Sequence, residues 1–245
     1  NHPNGALNTG GAFGTPFIIG SGQVGLGPDG MEVGDLTGNF GDIFAGYIAQ
    51  KMGLPIDQLV IATNQNDILD RALRSGDYRT NGVKPSMSPS MDIQVSSNFE
   101  RALFDAYGRD GTAIAALMGE LKAGGFRISQ GAIESLRGTF ASGRCSEDET
   151  LAVIARHWKT TGELLCPHSA VGVKVAEEHI GLAPMITLAT AHPAKFPDAV
   201  EKATGLRPGL PPHMAGLFDK AERVTRVPND LGALQALVRE RTARR

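Results

Sequence analysis

Thr37-Gly38-Asn39-Phe40-Gly41-Asp42 stands directly before an amphipathic stretch. It is the segment of this chain best suited to hold an anion. The first turn of a helix offers unpaired N–H groups and a partial positive charge. Glycine there lets a phosphate approach the backbone closely, and the Asn39 side chain adds a donor. Asp42 would repel an anion aimed at it, so it reads as closing the loop. Plain helix capping is the alternative use of the same residues. A second cluster, Leu188-Ala189-Thr190-Ala191-His192-Pro193-Ala194-Lys195-Phe196, begins where an apolar run ends. Ligands of α/β proteins sit at the carboxyl ends of strands. Thr190 supplies a hydroxyl there, and His192 and Lys195 supply positive charge; a solvated turn is the other reading. Asn64-Gln65-Asn66-Asp67 occupies the analogous place after another apolar run, and Ser96-Ser97-Asn98 has the composition of a helix cap. Cys166-Pro167-His168 joins a nucleophile type to a base type. Such close neighbours in sequence seldom meet in an activating geometry, so a buried cysteine at a helix break is the stronger reading. The histidines at 2, 157, 179 and 213 have no metal-ligand spacing.

These residues need elements to hold them. Ile43, Phe44, Tyr47, Ile48 and Met52 fall at helical spacing, and Gly53 and Pro55 stop that helix. Residues 58–64 and 185–191 each predict a buried strand. Asn66 or Asp67 starts a helix that Gly76 closes. Further helices are expected from Ser96–Asn98 to about Tyr107, over 112–123 and over 130–137. Ser146 with Glu149 forms a capping box that opens a helix to about Lys159. Others follow at 169–179, at 197–204 and from Asn229-Asp230 onward. Residues 77–95 read as irregular. Helix, strand, helix with short connections is α/β grammar.

Composition bounds the function. Lys and Arg number 24 against 26 Asp and Glu, which argues against a basic nucleic-acid surface. No apolar run reaches membrane-spanning length, and no signal peptide opens the sequence. Two cysteines cannot build a disulfide framework, so a cytoplasmic setting is expected. Glycine is unusually frequent, at 31 of 245 residues. Residues 1–36 are especially rich in it and show no periodicity beyond the patch Phe17-Ile18-Ile19. They read as an irregular or flexible segment.

Several strings, in this order, closely resemble threonine synthase of the bacterial and fungal type: TGNFGDIFAGYIAQKMGLPI, LVIATNQNDIL, SPSMDIQVSSNFERALF, TGELLCPHSAVG and LATAHPAKFPDAVEKATG. The resemblance runs from about Thr37 to the C-terminus. It implies the α/β, tryptophan-synthase-β-like (type II) pyridoxal-phosphate fold, C-terminal portion only, helix-rich with few buried strands. It also implies a carbon–oxygen lyase acting on phosphate, which turns O-phosphohomoserine and water into L-threonine and phosphate for threonine biosynthesis.

Carried over residue by residue, the resemblance makes Gly38, Asn39, Phe40 and Gly41 the cradle of the pyridoxal 5'-phosphate group, closed by Asp42. Thr190 becomes the residue facing the ring nitrogen, and Asn66, Asp67, Ser97 and Asn98 lie in family strings near the cleft. The domain division expected is 1–36, unlike the family, and 37–245, with a helical substrate-side insertion over about 80–145. The family's Schiff-base lysine stands in a Phe-Lys-Asp context that none of Lys51, Lys84, Lys122, Lys159, Lys174, Lys195, Lys202 or Lys220 occupies. The chain is therefore expected to be inactive alone and to need a missing N-terminal half, its texture change near residue 36 fitting a misread or replaced front. A related phospho-lyase releasing a keto acid and a non-catalytic half-domain are the other readings. No metal, membrane or nucleic acid is expected as a partner.

Overall fold

The computed structural model describes residues 17–19, 31–36 and 39–243. In chain order the strands are β1 (Phe17–Ile19), β2 (Met31–Leu36), β3 (Ile56–Thr63), β4 (Asp77–Arg79), β5 (Gly125–Arg127), β6 (Phe140–Arg144) and β7 (Met185–Leu188). The helices are α1 (Gly41–Lys51), α2 (Ile68–Ser75), α3 (Phe99–Ala106), α4 (Gly111–Lys122), α5 (Gln130–Arg137), α6 (Glu147–Thr161), α7 (Pro167–Glu177), α8 (Pro197–Thr204) and α9 (Leu231–Thr242). Five strands form one sheet in the order β1-β7-β2-β3-β6, and every pairing in it is parallel. β4 and β5 make a separate antiparallel pair.

From Leu59 onward β3 is buried on both faces, as strands of parallel sheets are. β3 shows why its sequence is a continuous apolar run. Leu59 and Ile61 enter one core with Phe40, Ile43, Leu69, Phe99 and Phe140. Val60 and Ala62 point the other way, onto Val171 and Val175 of α7. Burying each of the larger of these side chains contributes about 1.5–3 kcal/mol. α2 is strongly amphipathic and ends at Gly76, whose φ of 76° is the left-handed cap that glycine adopts cheaply. The Ser146–Glu149 capping box is formed at the start of α6.

Two expectations from the sequence are corrected. Residues 1–36 are not wholly irregular: they supply β1 and β2, and β2 lies between β7 and β3. Strand status there comes from two paired neighbours rather than from the segment's own pattern, which carries Glu32, Gly34 and Asp35. The helical insertion expected over about 80–145 holds α3, α4 and α5, but residues 140–144 run as edge strand β6 of the main sheet. Gly143 explains why that strand is hard to see in sequence. A Cβ there would come within 2.7 Å of Val175 Cγ1, so close approach of α7 selects glycine over a β-branched residue.

Residues 210–245 form a separate compact unit. Asp230 caps α9 by accepting a hydrogen bond from the Ala233 N–H at 2.7 Å, and no residue of α9 is buried.

Candidate active site

β2 and β7 are hydrogen-bonded neighbours running in the same direction, with Gly34 opposite Thr187. Their carboxyl ends therefore emerge side by side. The chain leaves β2 for the Asn39–Asp42 turn and leaves β7 for Thr190. Topology alone thus brings together two segments separated by some 150 residues. A cavity of about 200 Å³ lies between them, lined by Asn39, Asp42, Thr190, Ala191, Lys195 and Phe196. Ser90, Met91 and His168 complete its wall.

The turn before α1 is built with care. Asn39 Oδ1 accepts the Gly41 N–H at 2.8 Å. A Cβ on Gly41 would fall 2.8 Å from that same oxygen, so only glycine leaves the turn undisturbed. Phe40 sits at φ 65°, in the left-handed region that is costly for a bulky residue. Its fully buried ring packs 5.2 Å from that of Phe99 and 5.4 Å from that of Phe140. The N-cap residue Phe40 makes no side-chain cap, so beyond the Gly41 N–H, which Asn39 takes, the first-turn N–H groups of α1 are left to face whatever enters. Asp42 lines the cavity as well, one turn-position on. Gly38 lies outside the described residues.

Asn98 acts on this turn from behind. Its backbone N–H and its Nδ2 both donate to the Asn39 carbonyl, each at 3.0 Å. Asn98 is thus joined to the loop, though it does not line the cavity. Ser97 is exposed and also outside the lining. Asn66 is buried, and its side chain is fully engaged. It donates to the Lys84 carbonyl and to Asp92, and it accepts the Lys84 N–H. Asp67 holds Arg71 at 3.0 Å and Arg144 at 3.3 Å. Neither Asn66 nor Asp67 lines the cavity.

What Asn64 and Asn66 do is tie down the segment that follows β4. Asn64 Nδ2 donates to Ser86, Ser88 and Asp92 at 2.8–2.9 Å. Asp92 also accepts from the Ser86 backbone at 2.8 Å. Glu147 accepts the Met87 N–H at 2.8 Å. The strap so fixed carries Ser90 and Met91 to the cavity. Sequence reasoning missed these two because they lie in a stretch without periodicity; the serine–aspartate spacing opposite two asparagines was the available signal.

His168 was also overlooked as a cavity residue. It stands in the first turn of α7 and is almost completely buried. Its Nε2 accepts the Ser90 N–H at 3.2 Å, and its ring lies 4.4 Å from that of Phe196. Burial first, and the nearby Lys195 charge second, lower its pKa to about 4. His168 therefore stays neutral and keeps its acceptor lone pair at neutral pH. Cys166, by contrast, is a buried helix cap whose sulfur accepts the Ser169 N–H at 3.3 Å. His192 caps the next short turn through its Nδ1, at 3.1 Å from the Ala194 N–H.

The depressed histidine sets a pH dependence. Between about pH 6.5 and about pH 4 the unfolded chain binds a proton at this position that the folded chain does not. Stability is accordingly full above the unfolded pKa and falls as pH drops toward about 4. His168→Gln keeps an acceptor for the Ser90 N–H and removes this proton. Thermal melts at about pH 7 and about pH 5 should differ less in the variant than in the wild type. An unchanged difference would show that His168 is not the acid-sensitive group.

Among the described residues, no group of His, Cys, Asp and Glu could hold a metal ion, and no helix is long and apolar enough to cross a membrane.

A family model described as threonine synthase, C-terminal, matches residues 169–238. The threonine synthase of Pseudomonas aeruginosa is 51% identical over 206 residues, which are 82% of this chain and 44% of that protein. The Saccharomyces cerevisiae threonine synthase is 45% identical over 187 residues, 68% of this chain and 36% of that one. In structure, a PLP-bound threonine synthase from Brucella melitensis matches with a TM-score of 0.82 and 54% identity, over 87% of this chain and 47% of the other. The yeast enzyme matches with a TM-score of 0.77. The chain thus spans less than half the length of these relatives.

An open parallel sheet with helices on both faces, and a cavity at neighbouring strand ends, has here the tryptophan-synthase-β-like fold of pyridoxal-phosphate enzymes. Within that class the chain belongs with the threonine synthases and corresponds to their C-terminal part.

Proposed function

We propose that this chain forms the phosphate-loop and ring-nitrogen side of a threonine synthase site, at which O-phosphohomoserine and water give L-threonine and phosphate. The observation that carries the reading is the convergence of the Asn39–Asp42 turn and Thr190 on one cavity. The residues present fit pyridoxal phosphate. An uncapped helix N-terminus suits its dianion, a hydroxyl suits its ring nitrogen, and Gly41 has no room for a side chain. When bound, the group supplies an electron sink for carbanions on the amino acid.

The chain's own residues then have distinct tasks. Gly38, Asn39, Phe40 and Gly41 present backbone and amide donors to the phosphate, and Asp42 closes the turn. Thr190 offers a neutral hydrogen bond at the ring nitrogen, which orients the ring without handing it a full proton. Lys195 brings positive charge to the cavity, and Met91 and Phe196 exclude water from its wall. Asn98 fixes the Asn39 carbonyl, and Asn66, with Asp67 beside it, anchors the strap. We assign these, with Ser97, to the substrate side as positioning residues.

The lysine that would shuttle protons is assigned to the N-terminal part of the enzyme, because none of the lysines here has the Phe-Lys-Asp context. The test is to assay threonine and phosphate from O-phosphohomoserine, using the chain alone and the chain joined to an N-terminal half. The joined enzyme should release both in equal amounts, and the chain alone should release neither. Phosphate accompanied by a 2-oxo acid in place of threonine would favour the phospho-lyase reading. Turnover by the chain alone would overturn the lysine assignment.

A further inference from the structure

We propose that a second anion site, separate from the candidate active site, lies between the C-terminus of α2 and the N-terminus of α5 and takes a phosphate group. A cavity of about 470 Å³ opens there, and its wall carries Arg74, Arg127 and Arg137. None of its residues is shared with the first cavity.

The three arginines are exposed to solvent, and two of them are tied to the backbone of α2. Arg137 donates from Nε to the Leu73 carbonyl at 2.8 Å and from Nη2 to the Arg74 carbonyl at 2.6 Å. Arg127 donates from Nη2 to the Ser75 carbonyl at 3.1 Å. These bonds use the last carbonyls of α2, so helix capping explains part of the arrangement. It does not account for the charge. A helix C-terminus carries about half a negative charge, against two full positive ones. Arg74 is paired with Asp70 at 2.9 Å, but among the described residues neither Arg127 nor Arg137 forms an ion pair. The same cavity is lined by Ser129 and Gln130 at the start of α5, a helix that no side chain caps. Its first-turn N–H groups add positive potential of the sign that an anion needs.

Arg137, held by two bonds, retains Nη1, and Arg127, held by one, retains Nε and Nη1. Planar, pre-positioned guanidiniums suit the oxygens of a phosphate dianion. Ile128 and Ile133 give the cavity an apolar floor. The ligand class is therefore inorganic phosphate or a small phosphate monoester, recognised through the same phosphate oxygens.

The experiment is calorimetric titration of the full chain with inorganic phosphate and, separately, with glycerol phosphate. Each titration is repeated in Asn39→Ala, so that binding at the other cavity is distinguished. Arg127→Gln should weaken the remaining binding about tenfold. Arg74→Gln should weaken it less, and Arg101→Gln, outside the cavity, should leave it unchanged. Arg137 is avoided as a probe because its loss uncaps α2. Equal affinity for both ligands would make the phosphate group the whole determinant, and tighter monoester binding would add the apolar floor. Binding unchanged within about twofold in an Arg127→Gln chain that melts like the wild type would overturn the proposal. So would the absence of saturable binding of either probe.

Discussion

Phe40→Ala should cost the fold about 3–5 kcal/mol, the range for emptying a fully buried aromatic site. Phe40 is completely buried among Phe44, Phe99 and Phe140. It is also held at φ 65°, where a side chain costs about 1–2 kcal/mol of backbone strain. The aromatic cluster outweighs that strain and so holds the turn that presents Asn39 and Gly41. A second variant separates the two effects. Elsewhere glycine is about 0.5–1 kcal/mol worse than alanine, but here Phe40→Gly relieves the left-handed backbone. It should therefore be at least as stable as Phe40→Ala in urea unfolding. If the glycine variant were clearly less stable than the alanine one, the strain argument would be wrong, whatever the total loss.

Asp92→Ala is expected to cost about 3 kcal/mol, because it strips a charged acceptor from several partly buried donors at once. Asn64 Nδ2, Asn66 Nδ2, the Ser86 hydroxyl and the Ser86 N–H all converge on this carboxylate. Asp92→Asn is nearly isosteric, yet it turns an amide donor toward existing donors and should give little rescue. The loss should also reach the cavity. Ser90 and Met91 ride on the strap that Asp92 closes, which would be left with its bonds to Asn64, Glu147 and His168. Denaturant melts of both variants, with hydrogen exchange at the Ser86 N–H, check this. Near wild-type stability for Asp92→Asn would mean that shape, not charge, holds the strap.

These two residues also show what was legible beforehand. The amphipathic helices were readable because their apolar spacing is their own: α2 ends at Gly76, and α5 and α8 fall on the expected ranges 130–137 and 197–204. The β3 and β7 runs were readable because both faces of those strands are buried. β2 was not, since a segment with Glu32, Gly34 and Asp35 becomes a strand only through its neighbours β7 and β3. β6 was hidden by Gly143, which answers to the side chain of Val175 and not to strand propensity. At the site, Asn39 could be nominated from its place before a helix and Thr190 from its place after an apolar run, but their meeting depends on strand order. His168 was visible only as part of a Cys-Pro-His string. Nothing local reveals that its partner is the Ser90 N–H, 78 residues away.

The central claim is that the turn before α1 and the segment after β7 hold opposite ends of one phosphorylated pyridine. Amide chemical shifts of the chain during titration with pyridoxine 5'-phosphate test this directly, since that probe carries the ring and the phosphate but needs no lysine. The account predicts saturable shifts in two clusters, at Asn39–Ile43 and at Thr190–Ala191, following one binding curve. Shifts at only one of these clusters, or at neither, would contradict it.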